Sequence, residues 1–540
     1  MKMKKLTALA ALILALLMLT ACGKKSASPK PAEQETEQPP VAEDVLPMQV
    51  LSAVEYNYIY ENDSYDAPCL VKTQWPAVAL AEESREQYPA LAAALDAYTV
   101  KEHEQGMESL KQMEADAREQ YEYAPETFEY CYYTSDSTAR VVRADDKVFS
   151  MAIFGSDYMG GAHPVSGWIA KTYDTATGEE LTLSDVLPEQ EGLYDIIIDA
   201  IMTESENFDE DELKTVFANA DYYPAGLTWT LGYDHMGFYF GDYELGSYAQ
   251  GSLYVAVPFA ALEGLIAPEY TEAPETYGFS LTELYSSYDY MDLLGDGTMQ
   301  CVCAYGVPAD NAEDSYNGLR VEVNGATAET MGLEFSDYQA SVLRTANGDT
   351  WVYVECSVIY EEITEIFRIP AGTLEPEYVG AVHQSAHKFL ATKSDYGYED
   401  YGADNTLYMR YLLTDPAYMT LENNDGVFGY NRAIAAYCVG EEGLPEQISE
   451  YYVYDSDEPF FLLANIPAHE IDPQTGDMLG DVTVTEEAEV YLDCSDEATF
   501  AEFWLTDGSL VLVDLTQDEN GALYIDGAPI YEVLDGISVG

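Results

Sequence analysis

Residues 168–183 read WIAKTYDTATGEELTL, and this stretch decides the class of the first folded part. Its β-favouring first half, its Asp-Thr-Ala-Thr-Gly turn and the short β-favouring run that follows predict a hairpin. Residues 192–204 come next, with apolar side chains at helical spacing, which predicts an amphipathic helix. Strands grouped around helices predict an α+β domain, in which helices pack on an antiparallel sheet.

The same mixture of patterns extends on both sides of this hairpin. After Pro89 the apolar residues Leu91, Leu95 and Leu110 recur at helical spacing, which predicts a long helix with one buried stripe. Gly106, in the middle of this helix, weakens it by about 1 kcal/mol relative to alanine. Short β-favouring runs predict the remaining strands of this part, at 54–60, 70–75, 128–133, 139–142, 148–154, 227–231, 237–240 and 253–257.

Residues 277–540 are rich in turn signals. Asp-Gly and Asn-Gly pairs between apolar runs are the strongest short-range indication of hairpins. They occur at 296–297, 324–325, 347–348, 425–426, 507–508, 520–521 and 526–527. We therefore predict an all-β domain, and the expected architecture is a propeller-like meander, although the intervals between the turns have no fixed period.

The N-terminus has the features of an export signal. A lysine-rich start precedes an apolar run that is shorter than the ~20 residues of a membrane helix, and this run ends in Leu19-Thr20-Ala21-Cys22. This end resembles a bacterial lipobox, which implies a lipoprotein signal peptide at 1–21 and an acylated Cys22. We expect lipid anchoring on the extracellular face of the cell membrane. An ordinary signal peptide or an uncleaved anchor is the alternative.

Two stretches poor in large apolar residues divide the chain. Residues after Cys22 are rich in Lys, Ser, Pro, Glu and Gln, which predicts a flexible tether. Two prolines and three glutamates within 267–275 predict a linker. The expected organisation is a signal peptide (1–21), a lipidated tether (22–48), an α+β domain (49–267), a linker (268–276) and a β-rich domain (277–540).

The charge balance is strongly acidic. There are 98 Asp and Glu residues against 23 Lys and Arg residues, which gives a formal net charge of −75. Nucleic-acid binding and attachment to anionic lipids through a polybasic patch both need a basic surface, so these functions are excluded. An acidic surface attracts basic proteins, basic peptides or metal ions. It can also serve solubility alone.

The cysteines do not predict a disulfide framework or a zinc site. Seven remain after Cys22, an odd number for a chain of this length. Cys301 and Cys303 flank one residue of a strand-like run, so their side chains point to the same face. Zinc ligands usually have two to four residues between them, so this spacing does not favour zinc.

Two further stretches resemble metal sites only in part. His383 and His387 lack the other ligands that zinc needs. The loop Asp292–Gly297 has Leu294 where calcium needs an oxygen ligand, so a plain turn is expected. We therefore predict no cofactor and no metal.

The segment Gly160-Gly161-Ala162-His163-Pro164 predicts a shaped loop. Two glycines permit positive φ angles and close approach of backbones, and a residue before proline is held extended. The segment is either a tight connection with a hydrogen-bonded histidine or a loop that presents His163 to a partner. No serine or cysteine nucleophile is placed with His163, so a catalytic role is not expected.

Several motifs of the α+β part occur in a characteristic order. They are Gly160–Pro164, Thr172–Asp174, Gly178–Asp185, Gly237–Phe240, Tyr243-Glu244-Leu245 and Tyr248-Ala249-Gln250-Gly251. Their order and spacing resemble the RsiV-type extracellular domain, the lysozyme-sensing domain of an anti-sigma factor. The same module precedes the catalytic domain of the PdaC peptidoglycan deacetylase. The resemblance covers about residues 50–266.

This resemblance implies a binding or sensing module for lysozyme or for peptidoglycan. The contacts are expected at Gly160, Gly161, His163, Pro164, Tyr243 and Tyr248. The Thr-Phe-Asp-Asp-Gly metal motif of the deacetylase is missing from the chain, so we predict that the protein is not an enzyme. The expected function is a surface lipoprotein that binds a lysozyme-like basic protein. A glycan-binding or scaffold lipoprotein and an enzyme of unknown type are the alternatives.

Overall fold

The computed structural model describes residues 46–535 and 537, except for 63, 65, 130–131, 219–225, 282–286, 310–314, 359–360, 393–405, 424–426, 429–431, 456–458 and 519–520. The predicted signal peptide and the lipidation site Cys22 lie outside the described residues. The structure has 48% strand and 19% helix, so a β-rich protein with few helices is confirmed. None of the described helices is long and apolar enough to cross a membrane.

The first half of the chain combines strands and helices. Its strands are β1 (Val50–Tyr60), β2 (Cys69–Leu80), β3 (Tyr133–Ala144), β4 (Val148–Tyr158), β5 (Val165–Asp174), β6 (Thr228–Leu231), β7 (His235–Phe240) and β8 (Leu253–Pro258). Its α-helices are α1 (Glu82–Gln87), α2 (Pro89–Tyr123), α3 (Leu183–Val186), α4 (Leu193–Glu204) and α5 (Glu210–Ala218). Short 3₁₀ turns lie at Pro125–Glu129, Tyr248–Gln250, Phe259–Leu262 and Pro268–Tyr270.

The described residues of the second half form strands and one short α-helix, α6 (Ile530–Val533). The strands are β9 (Tyr277–Ser280), β10 (Tyr288–Met291), β11 (Gln300–Pro308), β12 (Tyr316–Val323), β13 (Ala326–Phe335), β14 (Asp337–Arg344), β15 (Thr350–Val358), β16 (Glu361–Ile369), β17 (Glu377–Val382), β18 (Gln384–Ala386), β19 (Lys388–Thr392), β20 (Thr406–Tyr411), β21 (Met419–Asn423), β22 (Arg432–Val439), β23 (Pro445–Gln447), β24 (Tyr452–Asp455), β25 (Phe460–Leu462), β26 (Ile466–Ile471), β27 (Met478–Val484), β28 (Glu489–Ser495), β29 (Phe500–Leu505), β30 (Leu510–Gln517), β31 (Leu523–Ile525), β32 (Ala528–Pro529) and β33 (Leu534–Asp535).

The long helix α2 confirms the predicted apolar stripe. Leu91, Leu95 and Leu110 are buried on one face of this helix. Gly106 lies against β2, because a Cβ at this position would come within 3.1 Å of the Trp75 ring. The glycine that weakens the isolated helix therefore permits the close packing of the indole.

A seven-stranded sheet, which we call sheet 1, forms the framework of the first half. Its strand order is β19-β20-β1-β2-β3-β4-β5. Only the β2–β3 pair is parallel among the described ladders of this sheet. Strand β20 pairs with β1 through partners such as Tyr411 and Leu51. Sheet 1 therefore contains strands from both sides of the predicted linker.

The predicted linker is held by a buried arginine. Arg143 of β3 is fully buried and pairs with Asp145 at 2.7 Å. Its guanidinium donates hydrogen bonds of 3.0 Å to the backbone carbonyls of Tyr270 and Glu272. A buried charge needs such acceptors to offset the loss of hydration. The segment after β8 is consequently fixed to sheet 1 by these bonds.

The remaining strands form separate sheets. The three-stranded sheet has the order β6-β7-β8, the four-stranded sheet β10-β11-β12-β13 and the five-stranded sheet β17-β16-β15-β14-β9. A larger sheet follows the path β18-β21-β22-β24-β28-β29-β30-β26-β27. Val302 and Val321 of the four-stranded sheet share a buried cluster with Val342 and Val352 of the five-stranded sheet. The propeller-like arrangement stays a prediction.

Turn chemistry explains the hairpin between β12 and β13. Asn324 has a φ of 46° and Gly325 a φ of 91°, and both values lie in the left-handed region that a type I′ turn requires. The predicted turn at 324–325 is confirmed. The predicted turn at 425–426 lies outside the described residues.

Two predicted strands are replaced by other structure. Phe128 lies in a 3₁₀ turn, where its ring packs against Tyr121 and Tyr133, so the strand predicted at 128–133 is wrong for its first part. The second strand of the 168–183 hairpin is reduced to one bridge between Tyr173 and Glu180. Leu183 then begins α3, because a capping box of Thr182 and Asp185 favours a helix there.

Candidate binding site

Two connections meet beside the end of sheet 1. The first joins β4 to β5 over residues 159–164, and the second joins β7 to β8 over 241–252. Asp242 ties the second connection to the start of β5, directly after the first connection, since the Ser166 N–H donates to Asp242 Oδ2 at 2.7 Å and the Asp242 N–H donates to the Ser166 carbonyl at 3.0 Å. A Cβ at Gly241 would lie 3.1 Å from the Ser166 carbonyl oxygen, so glycine permits this approach.

The glycine pair shapes the first connection. Gly160 has a φ of 73°, and a Cβ there would lie 3.1 Å from the Tyr133 ring. The Tyr158 hydroxyl donates to the Gly161 carbonyl at 3.2 Å and accepts from the Gly161 N–H at 3.3 Å. Backbone freedom and two tyrosines therefore set the path that leads to His163.

His163 contacts both predicted tyrosines. Its Nε2 lies 3.2 Å from Tyr243 Oη. Its ring stacks on Tyr248, with centroids 3.5 Å apart and planes at 15°. Its Nδ1 lies 2.9 Å from the Pro164 carbonyl oxygen, which can only accept, so Nδ1 carries a proton. The structure thus brings His163, Pro164, Tyr243 and Tyr248 into contact, while Gly160 and Gly161 precede them on the same connection and contact Tyr133 and Tyr158. We call His163, Tyr243 and Tyr248 the aromatic cluster.

Tyr243 is held in an unfavourable backbone conformation. Its φ of 69° lies in the left-handed region, which costs a residue with a Cβ on the order of 1 kcal/mol. Its side chain is 50% exposed, and its ring centroid lies 5.7 Å from that of Tyr248. The backbone strain therefore places an aromatic ring and its hydroxyl at the surface.

A short capped turn positions Tyr248. The 3₁₀ turn Tyr248–Gln250 begins with a capping box between Ser247 and Gln250. Gly251 follows with a φ of 74°, so glycine is favoured at the last position of the Tyr-Ala-x-Gly motif. Gln250 Nε2 also donates to the Asn207 carbonyl at 3.2 Å. These contacts hold the ring of Tyr248 under that of His163.

The segments that form the aromatic cluster contain acidic residues and no basic ones. No lysine or arginine occurs between Lys147 and Lys171, or between Lys214 and Arg320, and these segments contain both connections. Asp157 and Glu244 are exposed acidic residues of the same segments. These segments therefore bring no positive charge of their own to the site.

The chemistry of the aromatic cluster is suited to binding. Both ring nitrogens of His163 are engaged, one by the Pro164 carbonyl and the other by the Tyr243 hydroxyl. A nucleophile that used His163 as its base would have to displace one of these partners. The exposed ring of Tyr243 instead offers contact area with one polar tip, which suits protein contacts and sugar stacking.

The other candidate residues lie apart from the aromatic cluster. His387 is buried with its Nδ1 3.3 Å from Glu422 Oε2. The carboxylate of Asp292 accepts hydrogen bonds from the Asp296 and Gly297 N–H groups at 3.1 and 2.7 Å, which makes a closed turn. The prediction for Cys22 lies outside the described residues.

One group of possible metal ligands occurs within the part of the chain that the structure describes. Ligand atoms of Asp493, Cys494 and Glu502 lie within 4.8 Å of one another. Asp493 also accepts a hydrogen bond of 2.9 Å from the Trp504 indole. Structural zinc needs four ligands, so these three residues alone do not make such a site.

Sequence reasoning missed the residues that support the aromatic cluster. Asp242 joins elements that are distant along the chain, and Tyr158 sets the path of the first connection, but no local pattern marks either residue. The capping box of Ser247 and Gln250 is the one signal that could have been found, since its spacing is characteristic of helix starts.

Comparisons with known proteins leave the family open. No family profile matches the chain, and no curated protein matches it. A DUF3298 family member from Bacteroides fragilis NCTC 9343 is 16% identical, with a TM-score of 0.30 over 41% of this chain and 96% of its own. A DUF3298 family protein from Pseudomonas aeruginosa PAO1 is 14% identical, with a TM-score of 0.28 over 41% of this chain and 97% of its own. The functional proposal therefore rests on the residues of this chain.

Proposed function

We propose that the protein is a cell-surface lipoprotein that binds a basic protein of the lysozyme type through the aromatic cluster. The observation that carries the proposal is the contact between His163, Tyr243 and Tyr248, in which a strained backbone exposes the ring of Tyr243. Conformational strain at the surface is typical of positions that bind a ligand.

Charge supports the choice of a basic partner. The chain has a formal net charge of −75, and the segments that form the site contain no lysine or arginine. Opposite charge accelerates encounter above the ~10⁵–10⁶ M⁻¹s⁻¹ that unsteered proteins reach. A few buried aromatic anchors then supply most of the affinity, and tyrosine is a favoured type.

The glycan-binding alternative is favoured by one feature of the same site. The ring of Tyr243 is half exposed and has a polar tip, an arrangement on which a sugar ring can stack. Peptidoglycan would then occupy the aromatic cluster, and the acidic charge would serve solubility.

Binding assays with both ligands distinguish these functions. The full chain with Cys22→Ser, which prevents acylation, is tested against lysozyme and against purified peptidoglycan at about 0.15 M salt, where exposed charges are screened beyond ~8 Å. Saturable binding of lysozyme is expected, and retention by peptidoglycan alone would favour the alternative. Cytochrome c serves as a basic control protein. Equal affinity for cytochrome c would reduce the interaction to nonspecific charge attraction.

A further inference from the structure

Two cysteine side chains lie side by side on strand β11. Cys301 and Cys303 are separated by Val302, which is buried in the core between the four- and five-stranded sheets. Both cysteines are partly buried, and their Sγ atoms are 3.2 Å apart. The face that carries them is opposite to the core face, because side chains alternate along a strand. The two thiols are therefore in contact on this second face, where Cys301 also packs against a buried cluster that includes Tyr254 and Tyr290.

The neighbouring strands give the two thiols different surroundings. Tyr290 lies opposite Cys301 on β10, and Glu322 lies opposite Cys303 on β12. The hydrogen bond between the two thiols lowers the pKa of Cys303, against the opposing effects of burial and of the Glu322 charge. The same hydrogen bond, together with burial, raises the pKa of Cys301. The lowered pKa favours Cys303 as the attacking sulfur, and the 3.2 Å contact places Cys301 Sγ to attack it in the second step.

We propose that Cys301 and Cys303 form a thiol–disulfide exchange site that reacts with external disulfides. The thiolate of Cys303 attacks one sulfur of a disulfide RS–SR, so that a Cys303–SR bond forms and RS⁻ leaves. Cys301 then gives up its proton, attacks Cys303 Sγ and releases the second RS⁻. The two cysteines are oxidised to one disulfide, the external disulfide is reduced to two thiols, and the protons of the cysteines end on the released thiols.

Strand geometry makes this disulfide a reversible one. Residues i and i+2 of a strand are about 6.4–6.8 Å apart at their Cα atoms. Disulfides span Cα separations of about 4.4–6.8 Å, so this pair lies at the upper end of the range. They also need Cβ atoms about 3.5–4.5 Å apart, which is closer than two parallel side chains on one strand face. Closing the bond strains β11, and strained disulfides are more easily reduced than structural ones. The pair therefore exchanges in both directions instead of acting as a permanent cross-link.

Oxidised glutathione is the probe that tests the proposal. The full chain with Cys22→Ser is reduced, treated with an excess of oxidised glutathione, alkylated with a maleimide and mapped by mass spectrometry. The peptide that contains 301–303 is expected to lose both alkylatable thiols without a glutathione adduct, and dithiothreitol is expected to restore both.

Single variants separate the two roles. In the Cys301→Ser variant, the reaction should stop at a mixed disulfide between Cys303 and glutathione. In the Cys303→Ser variant, Cys301 should react with oxidised glutathione several-fold more slowly than Cys303 does in Cys301→Ser. Cys438→Ser, which removes another partly buried cysteine, should leave the exchange unchanged. Circular dichroism verifies the fold of each variant.

Three results would overturn the proposal. Both thiols could stay fully alkylatable in the folded chain, or each could carry its own glutathione. The pair could also be protected by Zn²⁺ without any oxidant, which would assign it to metal binding.

Discussion

Arg140 of sheet 1 and Asp289 of β10 form a buried ion pair between the two halves of the chain. Arg140 Nη2 lies 3.7 Å from Asp289 Oδ2, and the two side chains are 1% and 2% exposed. Arg140 also donates to the Tyr288 carbonyl at 2.9 Å, and the Tyr254 hydroxyl donates to Asp289 at 2.5 Å. The pair therefore belongs to a buried polar network that joins the first half to the four-stranded sheet.

Asp289→Ala should strongly destabilise the protein. Removing one partner of a buried pair leaves the other charge uncompensated, and the expected loss is about 3–5 kcal/mol in the free energy of unfolding, measured by urea denaturation. Glu272→Ala is the control, because the side chains of Glu272 and of its ion-pair partner Lys147 are 75% and 41% exposed. The control should cost at most about 1 kcal/mol. Equal losses in the two variants would contradict the assigned role of Asp289.

The same network predicts a pH dependence of stability. Burial lowers the pKa of His235, but the hydrogen bond and charge of Asp234, together with the charge of Asp289, raise it above its ordinary value. A raised pKa in the folded state gives stabilisation that is complete below the unfolded value of about 6.5 and is lost as the pH rises through the folded value. The free energy of unfolding should therefore fall as the pH rises from about 6.5 through the folded-state pKa of His235.

Variants of the pair test this dependence. His235→Gln should remove this contribution to the slope, and Asp234→Asn should weaken it, because His235 Nδ1 lies 2.7 Å from Asp234 Oδ1. Urea denaturation at several pH values above and below 6.5 is the measurement. If the free energy of unfolding changed with pH in the same way for the wild type and for His235→Gln, the histidine would not contribute to the pH dependence as expected.

Gly106→Ala should destabilise the protein, contrary to helix propensity. Alanine is favoured over glycine in an isolated helix by about 1 kcal/mol. Here its Cβ would come within 3.1 Å of the Trp75 ring, so the indole would have to move. In a Trp75→Ala background the clash is absent, and Gly106→Ala should then stabilise the protein. If Gly106→Ala stabilised the protein both with and without Trp75, the indole ring would be able to move away at no cost in free energy.

Tyr243→Ala should weaken the binding of a lysozyme-type partner. Removal of a central aromatic anchor typically costs about 2 kcal/mol, which is roughly thirtyfold in Kd. Tyr531→Ala is a matched control, because both tyrosines are 50% exposed and Tyr531 lies on α6. Biolayer interferometry at about 0.15 M salt is the measurement. Equal affinity of the two variants would exclude Tyr243 as an anchor.

Cys22→Ala should release the protein from the membrane or mislocalise it. The acylated cysteine is the membrane attachment that the lipobox-like end of the signal segment implies. Fractionation of cells should find the variant outside the membrane fraction, and a fatty-acid analogue should label the wild type only. A wild-type protein that takes up no label would exclude lipidation at this position.

Local patterns determined much of the secondary structure. The stripe of Leu91, Leu95 and Leu110 predicted α2, and the Asn324-Gly325 pair predicted a hairpin turn. Such features depend on residues that are close along the chain, so side-chain periodicity and allowed φ angles are enough to define them. The shared face of Cys301 and Cys303 follows from strand periodicity in the same way.

The candidate site was determined by sequence only in part. The motifs around His163, Tyr243 and Tyr248 named its residues, but their contacts depend on the bonds between Ser166 and Asp242, residues 76 positions apart. A pairing at this distance leaves no local pattern, because each partner is compatible with many others until the strands have been ordered.

The tertiary structure alone decided how the halves are joined. Strand β20 completes sheet 1 next to β1, Arg143 fixes the segment that the sequence predicted as a linker, and Trp75 requires the glycine at 106. Proline and glutamate content predicted a linker at 268–276, but it could not reveal a buried guanidinium that holds the backbone of this segment. The composition of a segment indicates the structure that it favours in isolation. Long-range packing decides which of its backbone N–H and C=O groups are buried and must form hydrogen bonds with residues distant along the chain.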